Sequence, residues 1–211
     1  MSSKWKNGKL IVTGLLLSTV LTAPAMSHDP GPPKRGAVGR EAVQLPVPDF
    51  KLVDQDSRAF RVRSLRGKVV LVTFIYTTCP DFCPLLTAKF AGIERTLKSQ
   101  GLNHHFLLSI TTDPETDTPE VLRSYGQRFG ADFHSWALLT GDKKELSEVW
   151  RLFGVRVKES GKGLIGHTGL TTLIDGQGIR RIDYYGDSWT ENEVLKDIAD
   201  LAKAGQAGPE R

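Results

Sequence analysis

The chain of 211 residues has two cysteines, Cys79 and Cys83, four apart in Thr77-Thr78-Cys79-Pro80-Asp81-Phe82-Cys83-Pro84. Pro84 fits the first turn of a helix running from about Leu85 to Gln100, which puts Cys83 at or beside its N-cap and Cys79 in the loop before it. Both sulfurs then lie near the positive end of a helix dipole, where thiolate is favoured over thiol. Thiolate binds soft metals and attacks disulfides, so three chemistries are open: a structural disulfide, thiol redox exchange and metal binding. A bridge across so short a loop constrains the unfolded chain little and would stabilise by no more than about 2 kcal/mol. Three intervening residues, where a thiol redox motif has two, give a wider bite suited to two ligands converging on one ion.

Two thiolates are good donors for Cu(I), and one imidazole completes a trigonal site that a d¹⁰ copper ion accepts; zinc would require a fourth ligand. The histidines are His28, His104, His105, His134 and His167. His104 and His105 open a strand, where alternation sends them to opposite faces. His134 lies in a polar turn. His167 ends the glycine-rich approach Gly161-Lys162-Gly163-Leu164-Ile165-Gly166-His167 to a strand expected beside the cysteine strand. A lone histidine is more commonly a surface or hydrogen-bonded residue, and its position in the fold decides between that reading and a ligand.

The elements that must position these groups can be read from periodicity. Phe50 to Val53 and Ala59 to Val62 predict short strands around a polar turn. Lys68 to Tyr76 is a near-continuous, β-branched apolar run, the mark of a strand buried on both faces. After the cysteine helix, His105 to Thr111 predicts a second central strand, and Thr118 to Phe129 a helix with Thr118 as N-cap and Pro119 at its first position. A strand at Trp136 to Leu139 and a helix at Lys143 to Phe153 follow. Thr171 to Ile174 and Ile179 to Tyr185 flank the turn Asp175-Gly176-Gln177-Gly178 as a hairpin, and Glu191 to Ala204 predicts the last helix. Strands alternating with helices predict an α/β fold: a thioredoxin-like central sheet flanked by helices, with an N-terminal β extension.

The first residues carry Lys4, Lys6 and Lys9, an apolar run from Leu10 to Leu21 and then Ala23-Pro24-Ala25, the order of an export signal. The run is shorter than the roughly 20 residues of a membrane span, although left uncut it would tether the chain to a membrane. The expected organisation is therefore a signal or anchor over residues 1–25, a Pro/Gly-rich linker over 26–48 and one domain over 49–206, located in the periplasm or cell envelope. The formal charge of +4 falls to +1 without the three leading lysines, and no basic block or zinc-finger spacing supports a nucleic-acid partner. Cleavage after Ala25 would expose Met26-Ser27-His28, whose amine, amides and imidazole suit square-planar Cu(II) or Ni(II).

The cysteine motif, with Thr112-Asp113-Pro114-Glu115-Thr116-Asp117-Thr118-Pro119, Trp136-Ala137-Leu138-Leu139-Thr140-Gly141 and His167 before Thr172-Leu173-Ile174-Asp175, resembles the Sco/SenC family of copper-binding, thioredoxin-fold proteins. The resemblance runs from about Asp49 to Ala204. It implies Cys79, Cys83 and His167 as ligands of copper, Cu(I) or Cu(II), and Cys79 and Cys83 as a redox-active disulfide. The implied role is a copper chaperone, and the implied partner is the copper-containing subunit of cytochrome c oxidase, with other copper chaperones or thiol reductases beside it. Gly166 stands where the family commonly has Asp, which removes an acidic neighbour that would orient the imidazole. Asp117 and Thr118 read as helix caps and Asp113-Pro114 as a turn.

The alternative is a periplasmic thiol-disulfide oxidoreductase. Such enzymes normally face their cysteines with a cis-proline, and this chain has no proline between Pro119 and Pro209. A peroxiredoxin-like reading fails because Tyr76 occupies the position, three before Cys79, where that motif needs threonine.

Overall fold

In the computed structural model, residues 39–159 and 164–206 are described, together with residue 1. The export segment, the residues around His28 and most of the linker lie outside them. Among the described residues no helix is long and apolar enough to cross a membrane.

Strands β1 (Gly39–Pro46), β2 (Lys51–Asp54), β3 (Ala59–Arg61) and β4 (Val69–Ile75) precede helix α1 (Phe82–Ser99). They are followed by β5 (His105–Thr111), α2 (Pro119–Phe129), β6 (Trp136–Thr140) and α3 (Lys143–Phe153). The chain continues through β7 (Val157–Glu159), β8 (Ile165–His167), β9 (Leu170–Ile174), β10 (Ile179–Tyr185) and α4 (Glu191–Gln206). Eight strands form one sheet in the order β1-β10-β9-β4-β5-β6-β2-β3, and β7 and β8 form a separate antiparallel pair.

Strand β4 lies at the centre, parallel to β5 and antiparallel to β9. Its side chains alternate between two cores, which is why its sequence is apolar throughout. Val69, Leu71 and Ile75 meet Leu86, Phe90, Ile93 and Leu97 of α1, with Tyr125 of α2 and Ile198 of α4 in the same core. Val70, Val72 and Phe74 face the opposite core, where Leu146, Val149, Trp150 and Phe153 of α3 pack. Helices α2 and α3 start as their sequences dictate. Thr118 Oγ1 accepts from the Val121 amide, Asp142 accepts from the Glu145 amide, and both helices end at glycines with positive φ, Gly130 and Gly154.

Two expectations are corrected. The linker does not extend to residue 48, because Gly39–Pro46 is a strand paired antiparallel with β10. It is an edge strand with most side chains exposed, so it has no apolar period, and an edge accommodates Pro46. Arg40 anchors it with two hydrogen bonds to Asp197 of α4, at 2.7 and 3.0 Å, and the Tyr184 hydroxyl donates to the same carboxylate. The cysteine helix also starts earlier than expected, at Phe82, which brings Cys83 inside its first turn.

Candidate metal centre

Strands β4 and β5 run in parallel and end together at Ile75 and Thr111, and the cysteine loop leaves from that edge. The Thr112 amide donates to the Ile75 carbonyl at 2.7 Å, joining the two strand ends. Asp117 then fixes the loop. Its fully buried carboxylate accepts from the Thr77 amide at 3.2 Å and from the hydroxyls of Thr77 and Thr111. Asp117 is therefore a clamp between the β5 exit and the cysteine loop, while Thr118 alone caps α2. Burial pushes the Asp117 carboxyl above its ordinary value, and the hydrogen bonds from Thr111 and Thr77 oppose that rise.

The two cysteines are free thiols in different surroundings. Cys83 is completely buried, beside Leu86 and Tyr76. Cys79 is half-buried, and its sulfur accepts from the Cys83 amide at 3.4 Å. Burial raises the Cys79 thiol pKa, but hydrogen bonds from the Cys83 and Asp81 amides, the Cys83 thiol and the Tyr76 hydroxyl outweigh it and hold it below the ordinary value. Burial dominates at Cys83 and drives its pKa well above that of a free thiol. Hydrogen bonding thus favours thiolate at Cys79 only, because burial prevails at Cys83, which corrects the expectation that both sulfurs share the benefit.

His167 is carried to this edge by the β7–β8 pair, in which it is the register partner of Val157. Sequence patterning missed the pair because each strand has only three residues. Thr168 ties it down through two hydrogen bonds, its hydroxyl accepting from the Arg156 amide and its own amide donating to the Arg156 carbonyl. Gly169 passes so close to Phe82, the first residue of α1, that a Cβ there would stand 3.3 Å from the ring. The chain around His167 is thereby packed against the start of the cysteine helix.

His167 Nε2 lies 3.8 Å from Cys83 Sγ, and its Nδ1 lies 3.1 Å from the Thr168 carbonyl oxygen. A carbonyl only accepts, so Nδ1 carries the hydrogen and Nε2 turns a lone pair toward the sulfur. Burial lowers the His167 pKa against the opposing pull of that carbonyl, which keeps the ring in its neutral, ligating form. Metal–sulfur and metal–nitrogen bonds of about 2.3 and 2.0 Å at a trigonal or tetrahedral angle separate their donors by roughly 3.5 to 3.8 Å. The Cys83–His167 pair therefore fits one soft ion.

Among the described residues no three His, Cys, Asp or Glu groups stand close enough together to hold an ion as they are. A three-donor site would add Cys79, from the adjoining loop, to the Cys83–His167 pair. Tyr76, which sequence reasoning placed at the end of the central strand and used to exclude a peroxidase but did not assign to the site, contacts both His167 and Cys79. Its ring meets His167 edge-on at 6.0 Å between centroids, and its hydroxyl interacts with Cys79 and the Ile165 backbone. A phenol ending the apolar run three residues before Cys79 was the available signal. The other described histidines lie elsewhere: His104 is exposed, His105 is buried at the opposite end of β5, and His134 pairs with Asp132 at 2.9 Å.

The sequence pattern of the family described as SCO1/SenC matches residues 40–203. The chain belongs to the SCO1/SenC family. The SCO2-like protein RP587 of Rickettsia prowazekii is 34% identical over 160 residues, covering 73% of this chain and 74% of that protein. A SCO1/SenC family lipoprotein from Bacillus anthracis superposes with a TM-score of 0.70 at 30% identity, over 79% of this chain and 99% of that one. ScoI of Bradyrhizobium japonicum with copper bound gives 0.63 at 28% identity, over 78% and 99%. BsSco, a Sco family cytochrome c oxidase assembly protein with a disulfide switch, gives 0.67 at 26% identity, over 77% and 96%. The thioredoxin-like fold expected from the sequence is the fold of these SCO1/SenC structures.

Proposed function

We propose that this SCO1/SenC protein binds one copper ion through Cys79, Cys83 and His167 and delivers it to the dinuclear copper site of cytochrome c oxidase. The observation that carries the reading is the 3.8 Å approach of His167 Nε2 to Cys83 Sγ across 84 residues of chain, with Cys79 in the adjoining loop. One thiolate-prone sulfur, one buried sulfur and one neutral imidazole form a soft donor set suited to Cu(I). The copper-bound ScoI of Bradyrhizobium japonicum and the membership of BsSco in a family of cytochrome c oxidase assembly proteins support the cargo and the client. The lipoprotein from Bacillus anthracis and the signal-like residues 1–25 support a place in the cell envelope.

A second reading, thiol-disulfide exchange by the same cysteines, is favoured by their unequal environments. The half-buried Cys79 is the attacking thiolate and the buried Cys83 the resolving thiol. Loading the reduced, purified protein anaerobically with Cu(I) separates the two. About one copper per chain in the parent and none in a Cys79→Ser, Cys83→Ser double variant supports the chaperone; no copper in a parent whose disulfide cycles readily supports the oxidoreductase.

A further inference from the structure

Beside the metal centre lies a cleft of about 510 Å³, bounded by the loop after β5, by α3 and by the β7–β8 pair. That volume falls within the range of ligand pockets. Two features make it continuous with the centre. Ile165, on its wall, is two residues before His167 in β8, so the two side chains leave the same face of that strand. Val157, also on the wall, is the register partner of His167.

The lining combines an apolar interior with a charged mouth. Trp150, Val155, Val157 and Ile165 supply the apolar surface. Lys143 is engaged with Glu115 at 3.0 Å, so those two charges largely offset each other. Arg151, exposed in the last turn of α3, and Arg156 also line the cleft, as does the carboxylate of Asp113, so the charged lining groups carry a net positive charge of one.

We propose that this cleft docks an extended segment of the protein that exchanges copper with Cys79, Cys83 and His167, the segment placing an apolar side chain against Trp150 and Val155 and a carboxylate on Arg151. The proposal rests on the copper-delivery reading and names the surface through which delivery occurs. Metal exchange between two proteins requires the acceptor's ligands to come within bonding distance of the donor's ion, so the acceptor must cover the surface next to His167. This cleft adjoins that surface, and the guanidinium of Arg151 in its lining offers a fork that pairs bidentately with a carboxylate.

The test is copper transfer from the copper-loaded protein to the purified soluble copper-binding domain of the same organism's oxidase subunit. Arg151→Glu reverses the charge at the mouth, and Ser147→Trp fills the cleft from an exposed position on α3. Both variants are expected to bind copper with parental stoichiometry and to keep the parental thermal midpoint. Transfer at limiting acceptor should fall at least tenfold, with the parental rate recovered at saturating acceptor. Parental transfer rates in both variants at every acceptor concentration would overturn the docking site while leaving copper delivery intact. A parent that loads copper and never transfers it would overturn delivery and this proposal with it.

Discussion

His167 directs one ring nitrogen to Cys83 Sγ at 3.8 Å and commits the other to the Thr168 carbonyl at 3.1 Å. The backbone one residue further on therefore sets the tautomer of the proposed ligand. This matters because Gly166 provides no acidic side chain to do so. His167→Ala is expected to leave a folded dithiol protein that retains part of its Cu(I) affinity and loses most Cu(II) binding, by a factor of about 100 or more. Competition titrations in both oxidation states measure this, and parental affinity in both would remove His167 from the ligand set.

Cys79 and Cys83 should react unequally. The Cys79 thiol is held below its ordinary pKa, so its thiolate fraction, and with it the alkylation rate, rises at lower pH than for a free thiol. Cys83 is buried and its pKa is raised, so it stays protonated across the same range. Mass spectrometry after timed alkylation of the reduced protein should find Cys79 modified first at every pH. Tyr76→Phe removes a hydrogen bond to Cys79 and should move its midpoint upward; an unchanged midpoint would show that the phenol does not tune the sulfur.

Asp117 joins the exits of two parallel strands. Asp117→Ala leaves the Thr77 amide and two threonine hydroxyls without their acceptor, and is expected to cost about 2 to 4 kcal/mol in urea denaturation. Asp117→Asn should show the linkage. A carboxyl whose pKa is raised by folding contributes stability that is fully present below its unfolded value and lost as pH rises through its folded value. The parent should therefore gain stability over the Asn variant as pH falls from neutrality toward the ordinary carboxylate range, and a constant difference would refute the assignment.

Strand β1 is expected to belong to the folding unit. Removing residues 39–46 strips β10 of its outer partner and separates Arg40 from Asp197, for an expected loss of at least about 2 kcal/mol and a fall in thermal midpoint of several degrees. A shortened protein that melts with the full chain would restore those residues to the linker.

The four helices were legible from apolar periodicity, the central strand from its continuous apolar run and the closing hairpin from its turn residues. Val69–Ile75 is buried on both faces and reads as unbroken hydrophobicity, and the cap at Thr118 is local chemistry. Strand β1 was hidden because an exposed edge carries no apolar period, and β7 and β8 because three residues cannot establish one. In the site, the residue types and spacing of Cys79 and Cys83 disclosed the chemistry, but their difference in acidity depends on burial. The approach of His167 and the clamp by Asp117 span 84 and 40 residues of chain, and only the fold places such partners together.

The most direct test of the proposed ligand set is X-ray absorption at the copper edge of the Cu(I)-loaded protein. Two sulfurs at about 2.3 Å and one nitrogen at about 2.0 Å, with the nitrogen lost in His167→Ala, are the expected shell. A shell of sulfur alone, or one whose nitrogen survives that substitution, would contradict the assignment of Cys79, Cys83 and His167.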